Sequence, residues 1–559
     1  MRRRSDAAAL ALASALMIAG CTAPGEPPTT TTTPSAEPSP TTSPTTSSPT
    51  PSPTPEPTLP WGPTVADLEQ AMADAAELSD VEAAGQVLIG RYSGTDPEAA
   101  RALVSEYGLA GVILFTENVA SLDQVVATGD AVQDAVGQTR DWPGIVSVDN
   151  EGGLVQRLSG ATGPWTTFPP FQAAGAASDD PGTIAAAYEA MGRELAGSGI
   201  TMNFAPDADV TVGPSDVTIG GRSAGSDPDR VADTVVAALQ GFADGGVLTS
   251  IKHYPGHGSL TVDSHETLPV LDTPISELEK DDLVPFAAGI DAGAPMVMVG
   301  HIAVTEWDAG VPASLSPAAY DYLREDLGFT GVAVTDGLDM GALTQTRTSG
   351  EIAAEALEAG ADLLLSPVDI EAARDGILTA LDSGDLGRDR LTEAAGRVIA
   401  LVRWQQELAE AAGNPGADVV GTAGGAVAAL AASAVTVAAG ECGSPLAGPR
   451  IHVRGGSTDD WNAFVEAAEE AGLQVVPLEQ GADTDVRLLV TGGSTGSADV
   501  AVALDQPSVL DDVDADTLVA GYGHTPQTMA ALAAALAGEA DTPGRLPVAV
   551  GDLPDSVCG

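Results

Sequence analysis

The chain has 559 residues, 44% of them hydrophobic but only 4% aromatic, and its 79 acidic side chains outnumber 23 basic ones for a formal charge of −56. So acidic a surface repels nucleic acid and anionic lipid headgroups, which excludes nucleic-acid binding; acidity of this kind is more often a solubility or salt-tolerance trait than a functional one. Only three cysteines and six histidines occur, so where they stand is informative.

The N-terminus reads as a targeting segment. Arg2, Arg3 and Arg4 precede an Ala/Leu-rich run to Ile18 that is short for a membrane span, and Ala19-Gly20-Cys21 resembles a bacterial lipobox. Residues 1–21 are therefore expected to be a lipoprotein signal peptide with Cys21 lipidated, and the product exported and membrane-anchored, facing the cell wall. From Thr22 to Pro60 the chain is Thr, Pro and Ser with almost nothing apolar, so it forms no core. As an extended tether, about 39 residues at roughly 3.1 Å each reach on the order of 120 Å.

Residues 61–408 alternate short apolar runs with helical stretches such as Pro228–Ala243 and Thr273–Ala292. The runs are Gly85–Ile89, Gly111–Phe115, Gly144–Val148, Ile200–Phe204, Val247–Ile251, Pro295–Val299, Gly331–Thr335 and Ala361–Leu365. Each is short and apolar, as buried parallel strands are. Eight strand-helix units in series predict a (β/α)8 TIM barrel, with a doubly wound sheet as the competitor. A barrel collects its chemistry just after the strands. Asp149 and Glu151 follow the third run, Asp207 and Asp209 the fourth, Lys252 and His253 the fifth, His301 the sixth and Asp336 the seventh.

The stretch Lys252-His253-Tyr254-Pro255-Gly256-His257-Gly258 through Asp263-Ser264-His265 to Leu268-Pro269 holds three of the six histidines. Zinc is the first thought, but Pro255 and Gly256 prevent His253 and His257 from sharing a helical face, so no metal site is expected. The fifth strand is expected to end at Lys252 and open into a long polar loop. Within it Asp263 can orient the His265 imidazole and fix its tautomer, making the pair a general acid and base.

This stretch resembles the signature of the β-N-acetylhexosaminidase branch of glycoside hydrolase family 3. Asp149-Asn150-Glu151-Gly152-Gly153-Leu154-Val155-Gln156-Arg157 is similar to a second family element, with Leu154 in place of an arginine. Asn203-Phe204-Ala205-Pro206 leads to Asp209, with Asp207 where a small apolar residue is usual. Gly221-Arg222-Ser223 matches the Arg-Ser piece, with Ala224 where an aromatic is usual. Val334-Thr335-Asp336-Gly337-Leu338-Asp339-Met340 looks like the nucleophile motif. The resemblance implies a retaining mechanism on carbohydrate, GlcNAc-containing glycans or muropeptides, with no metal or organic cofactor. Asp336 would attack the anomeric carbon, and His265, oriented by Asp263, would serve as acid and base in place of a second carboxyl. Asp149, Arg157, Arg222, Lys252 and His253 would bind the sugar, and His301 would either line the pocket with them or cap a buried carbonyl; His257 shapes the loop and Asp339 starts a helix.

Residues 409–559 carry a second αβ pattern that looks like the family's smaller α/β sandwich. Its expected strands are Ile451–Val453, Leu473–Val476, Val486–Val490, Val500–Leu504, Leu518–Ala520 and, after a helix at Pro526–Leu536, Leu546–Val550. The Gly-rich ends at Arg454–Ser457 and Thr491–Ser494 are read as packing loops. Cys442 and Cys558 bracket this domain, and in an exported protein they are candidates for a disulfide. Three rival readings stay open: a phosphorylase, because neutral imidazole does not repel incoming phosphate; a β-glucosidase; and a sugar-binding lipoprotein without catalysis. A monomer is expected.

Overall fold

The computed structural model describes residues 57–559 apart from 217, 261, 494, 495 and 559. The leader, Cys21 and the tether up to residue 56 lie outside the described residues. The first of them fold onto the barrel directly, with Trp61 buried to 3% exposure.

The eight strands are β1 (Leu88–Arg91), β2 (Gly111–Leu114), β3 (Ile145–Val148), β4 (Met202–Asn203), β5 (Leu248–Tyr254), β6 (Met296–Val299), β7 (Val332–Thr335) and β8 (Leu364–Leu365). All pair in parallel in chain order. The sheet then closes on itself: Leu88 lies opposite Leu364, and Val334 bridges Leu363. Because a helix covers the outer face of each strand, both faces are buried and the strands read as continuous Val, Ile, Leu and Met. The helix Pro228–Asp244 shows how the coat is made. Asp227 accepts hydrogen bonds from the backbone N–H groups of Asp229 and Arg230, Pro228 supplies a preset first turn, and Val231, Val235, Ala238 and Phe242 turn inward at helical spacing.

Four expectations need correction here. Gly85 and Gln86 end a helix (Asp80–Gln86) rather than begin β1, because Gln86 is held by Arg140 and Trp142 through its side chain. β5 does not end at Lys252 but runs on through His253 to Tyr254, since carboxylates compensate the Lys252 and His253 side chains inside the wall. The stretch Thr273–Ala292 is two short helices, Ile275–Leu278 and Val284–Asp291, parted by turns. Leu546–Val550 is irregular chain, held by a hydrogen bond from Leu546 N–H to the Asp555 carbonyl rather than by a sheet.

The second domain is built on β9 (Thr436–Ala439), β10 (Arg450–Gly455), β11 (Gln474–Val475), β12 (Thr484–Leu489), β13 (Ala498–Ala503) and β14 (Ala515–Ala520), in the order β9-β14-β13-β12-β10-β11. All pairs are parallel except β9 with β14. β9 lies in the Ala/Gly-rich stretch that reads as a mere connection. One face of the sheet, with Ile451, Val453, Val486 and Val502, packs under Thr458–Glu470 and Pro526–Ala537. Ala501, Ala503, Leu518 and Ala520 on the other face belong to the same continuous apolar cluster as the barrel. Ser457 makes a capping box with Asp460, so the Gly-rich end before it starts a helix. His524 donates to Asp460 and Asp505 at once, tying that helix to the end of β13. Cys442 and Cys558 form the disulfide, 116 residues apart.

Two segments of the barrel rim lean on this domain. Gly225 has φ 157°, and a Cβ there would stand 2.4 Å from the Pro547 carbonyl oxygen. Next to it, Ser226 N–H donates to that same oxygen and Arg230 Nη1 to the Leu546 carbonyl.

Candidate functional site

The carboxyl ends of the strands open into a cavity of about 310 Å3. A larger groove of about 650 Å3 runs along the outer wall, lined by Val126, Arg140 and Glu410, away from the strand ends. Asp149, Glu151, Arg157, Arg222, Lys252, His253, His265 and Asp336 all line the smaller cavity. Seven of the nine proposed catalytic and sugar-binding residues therefore meet in one place, although they are spread over 188 positions (149 to 336).

A buried ion cluster forms the floor. Lys252 Nζ lies 2.9 Å from Asp149 Oδ1 and 2.5 Å from Glu151 Oε1. Arg222 grips Glu151 with both Nε (2.8 Å) and Nη2 (2.9 Å). The chain turns after Glu151 at Gly152, whose φ of 100° suits glycine and where a Cβ would stand 2.4 Å from the Pro169 carbonyl oxygen. Burial alone would raise the Glu151 carboxyl, but Arg222 and Lys252 outweigh it and bring it down to about 2. Glu151 is thus the anchor of two cavity-facing cations, Arg222 and Lys252. Its place in the Asp-Asn-Glu motif was the signal for that role, and as a residue beyond a strand end it reads equally well as a turn.

His253 is oriented from behind. Its Nδ1 is 2.7 Å from Asp209 Oδ2, and Asp209 Oδ1 accepts the backbone N–H groups of His253 and His257. Burial disfavours the imidazolium, yet Asp209 more than offsets it and raises the His253 value. His257 takes Ser264 through Nε2 at 2.9 Å, so it ties the two ends of the loop together, as expected.

Asp336 follows β7, half-buried, and its Oδ1 accepts the Gly337 N–H at 2.7 Å. Burial pushes this carboxyl up, but the imidazoles of His253 and His301, with Gly337 N–H and Lys252, carry it down to about 2. His265 stands at the mouth with 65% of its side chain exposed, its Nδ1 2.8 Å from Asp263 Oδ1 and its backbone N–H on the same oxygen. That contact makes Nδ1 the donor and leaves Nε2 free toward the cavity. The Asp263 carboxyl is lowered: burial opposes this, and the two hydrogen bonds from His265 prevail.

One open choice is decided and one expectation fails. His301 does not line the cavity: it is fully buried, with Nε2 2.8 Å from the Gly337 carbonyl oxygen and Nδ1 2.7 Å from Ser314 Oγ, so it braces the turn that carries Asp336. Asp339 caps no helix; it pairs with Arg91 at 3.1 Å on the rim, while Met340 precedes the short helix Gly341–Thr344. Arg91 in turn lies over the Phe115 ring, 4.7 Å from its centroid, and both are wall residues that the sequence reading did not single out. Arg157 also faces Phe115, at 5.9 Å, and its buried Nε has no hydrogen-bond partner among the described residues.

Asp207, Asp209 and His253 bring three ligand-type atoms within 4.8 Å of one another. Asp209 already holds His253 and two backbone N–H groups, and Arg222 and Lys252 stand 3.2 and 3.9 Å from Asp207.

Residues 72–401 match the family model described as the glycosyl hydrolase family 3 N terminal domain. Beta-hexosaminidase A of Pseudoalteromonas piscicida is 33% identical over 332 residues, 55% of this chain and 55% of that protein, so this chain spans little more than half of that relative's length. Beta-hexosaminidase LpqI of Mycobacterium tuberculosis is 35% identical over 322 residues, 55% of this chain and 79% of that protein. Among solved structures, a glycoside hydrolase family 3 beta-N-acetylglucosaminidase from Paenibacillus sp. str. FPU-7 superposes with a TM-score of 0.73 at 26% identity, covering 85% of this chain and 99% of its own.

Proposed function

The chain belongs to glycosyl hydrolase family 3, and from that premise we propose that it is a retaining exo-β-N-acetylhexosaminidase that removes terminal β-linked N-acetylglucosamine. The observation that carries this reading is an anionic Asp336 in the floor of the cavity whose mouth holds an Asp263-oriented His265. In the first step the Asp336 carboxylate attacks the anomeric carbon, the glycosidic C–O bond breaks, and His265 Nε2 gives its proton to the departing oxygen. In the second, His265 takes a proton from water, the water oxygen attacks the anomeric carbon, and the ester to Asp336 breaks with release of the sugar. Asp149, Lys252, Arg222, His253 and Arg157 would bind the hydroxyls and the amide, the charged donors through strong charge-assisted hydrogen bonds.

Release of p-nitrophenol from its β-N-acetylglucosaminide tests the assignment. Turnover is expected in plain buffer, and His265→Ala is expected to lose about a hundredfold, the usual worth of one acid-base group. A rate that rises with phosphate and yields sugar phosphate would make the protein a phosphorylase, the one alternative that an imidazole in place of the second carboxyl favours. Preference for the matching β-glucoside would make it a glucosidase. Sugar binding without turnover would make it a receptor.

The anchored placement and muropeptide substrates belong to the same proposal and rest on the leader and tether. Labelled palmitate is expected to enter the protein made in its exporting host and to be lost in Cys21→Ser; equal labelling of both would refute the anchor.

A further inference from the structure

One carboxyl in the cavity floor has no part in the chemistry above. Asp207 follows β4 and is sealed, with 1% exposure, yet neither Oδ1 nor Oδ2 has a hydrogen-bond partner among the described residues. Arg222 Nε stands 3.2 Å from Oδ2 and Lys252 Nζ 3.9 Å from Oδ1, near enough to feel its charge. Both cations also face the cavity. The backbone fixes Asp207 in place: it bridges Lys252 in parallel, Ala208 N–H donates to the Lys252 carbonyl at 2.6 Å, and Lys252 N–H to the Pro206 carbonyl at 3.3 Å. If the attraction changes, the long side chains of Arg222 and Lys252 are what move.

The charges make that change consequential. Asp149 and Glu151 balance Arg222 and Lys252, and Asp209 balances a protonated His253. Asp207 is the carboxyl of this cluster left without a cation of its own, and ionising it adds one negative charge beside Arg222 and Lys252. On the glycosidase reading given above, we propose that Asp207 is a positioning residue whose neutral form leaves Arg222 and Lys252 free to meet the sugar and whose ionised form draws both into the floor and weakens that hold.

The groups facing Asp207 come from every wall around it: Arg222 from the turn 220–222, Glu151 from the segment after β3, Lys252 and His253 from β5, Asp209 from its own segment, and Tyr188 from the helix Pro181–Gly197. Burial is the largest influence and raises the carboxyl; Arg222 lowers it, Glu151 raises it, and Lys252 and His253 lower it, leaving it at about 7. The exchange of forms thus falls near neutrality.

Calorimetric titration of the whole protein with N-acetylglucosamine at about pH 5.5 and about pH 8.5, on either side of that point, reads the switch. The wild type is expected to bind about three- to tenfold more weakly on the alkaline side, as part of a charge-assisted hydrogen bond is surrendered. Asp207→Asn, uncharged throughout, is expected to keep its acid-side affinity there and so to bind better than the wild type, with KM following and kcat moving less. Asp207→Val carries the same expectation should the asparagine variant not fold. Equal affinity of the wild type on both sides, or a variant weakened equally at both, would overturn the proposal.

If neither protein binds N-acetylglucosamine, the glycosidase reading fails, and thermal melting decides about Asp207 without a ligand. A carboxyl raised in the folded state keeps its proton there while the unfolded chain has lost it, so its stability contribution is present at acid pH and lost as pH rises through about 7. The wild-type Tm should then fall relative to Asp207→Asn between acid and alkaline buffer; a constant offset would refute the switch.

Discussion

Asp336→Ala is expected to lower turnover of a β-N-acetylglucosaminide at least about a thousandfold while leaving the fold intact, because on the proposed mechanism it removes the carboxylate that forms the glycosyl ester. Asp336 keeps its charge throughout the working range, its carboxyl lying at about 2 despite burial. A carboxylate so weakly basic is also a competent leaving group when water cleaves the ester in the second step. The acid limb of a kcat/KM profile should therefore not report Asp336. Truncation opens room on that face of the sugar, so azide added to the variant is expected to restore turnover and to give the α-glycosyl azide, the configuration opposite to the substrate's. Full activity of the variant, or a β-azide as the product, would move the nucleophile elsewhere.

The second large effect is on stability. Asp362 lies at the opposite end of the barrel, fully buried, with Oδ2 2.6 Å from Arg324 Nη2 and Oδ1 2.8 and 3.1 Å from Arg390 Nη2 and Arg397 Nη1. Oδ2 also accepts the Ala333 N–H at 3.0 Å, so one carboxylate joins β7 to the turn carrying Arg324 and the helix Arg388–Ala411. Asp362→Ala leaves three mostly buried guanidinium groups facing one another, and removing one partner from a buried ion pair costs about 3–5 kcal/mol. Burial would raise this carboxyl, but the three arginines bring it down to about 2. A folded value below the unfolded one means that the stabilisation is present above about pH 4 and is lost as pH falls toward 2. Urea unfolding at neutral pH should show a midpoint well below the wild type's, narrowing in acid, with kcat/KM of the folded variant unchanged. A shift worth less than about 1 kcal/mol would show that the arginines find other partners.

The barrel was legible because its strands are short apolar runs set at regular intervals, and Asp336, His265 and Asp263 because each stands just past such a run or inside an unusual loop. Where the reading failed, the cause is compensation that sequence does not display. Lys252 and His253 look like the start of a loop, yet they continue β5 because Asp149, Glu151 and Asp209, 44 to 103 positions away in sequence, neutralise them inside the wall (209 to 253; 149 to 252). His301 stands past a strand as read, but nothing local decides between lining the cavity and its observed contacts with Ser314 and the Gly337 carbonyl. Asp362 sits in an apolar run and reads as part of a strand, since its three arginines are contributed by distant segments. β9 was missed because Thr436–Ala439 is short and surrounded by alanine, and only its antiparallel partner β14 gives it an address.

The seam between the halves of the molecule bears on how freely they could be recombined. Gly225, Ser226 and Arg230 sit just past the turn that carries Arg222, and they rest on Pro547 and Leu546, chain that the disulfide at Cys558 keeps near the second sheet. A gene fusion or a shuffled chimera that kept the barrel and exchanged its companion would have to reproduce that contact. Otherwise the loop would lose its backing, and the cavity-facing Arg222 would lose its aim. Inheritance of the two modules is coupled at the rim, and substitutions at Gly225 and around Pro547 are expected to be accepted in pairs rather than singly.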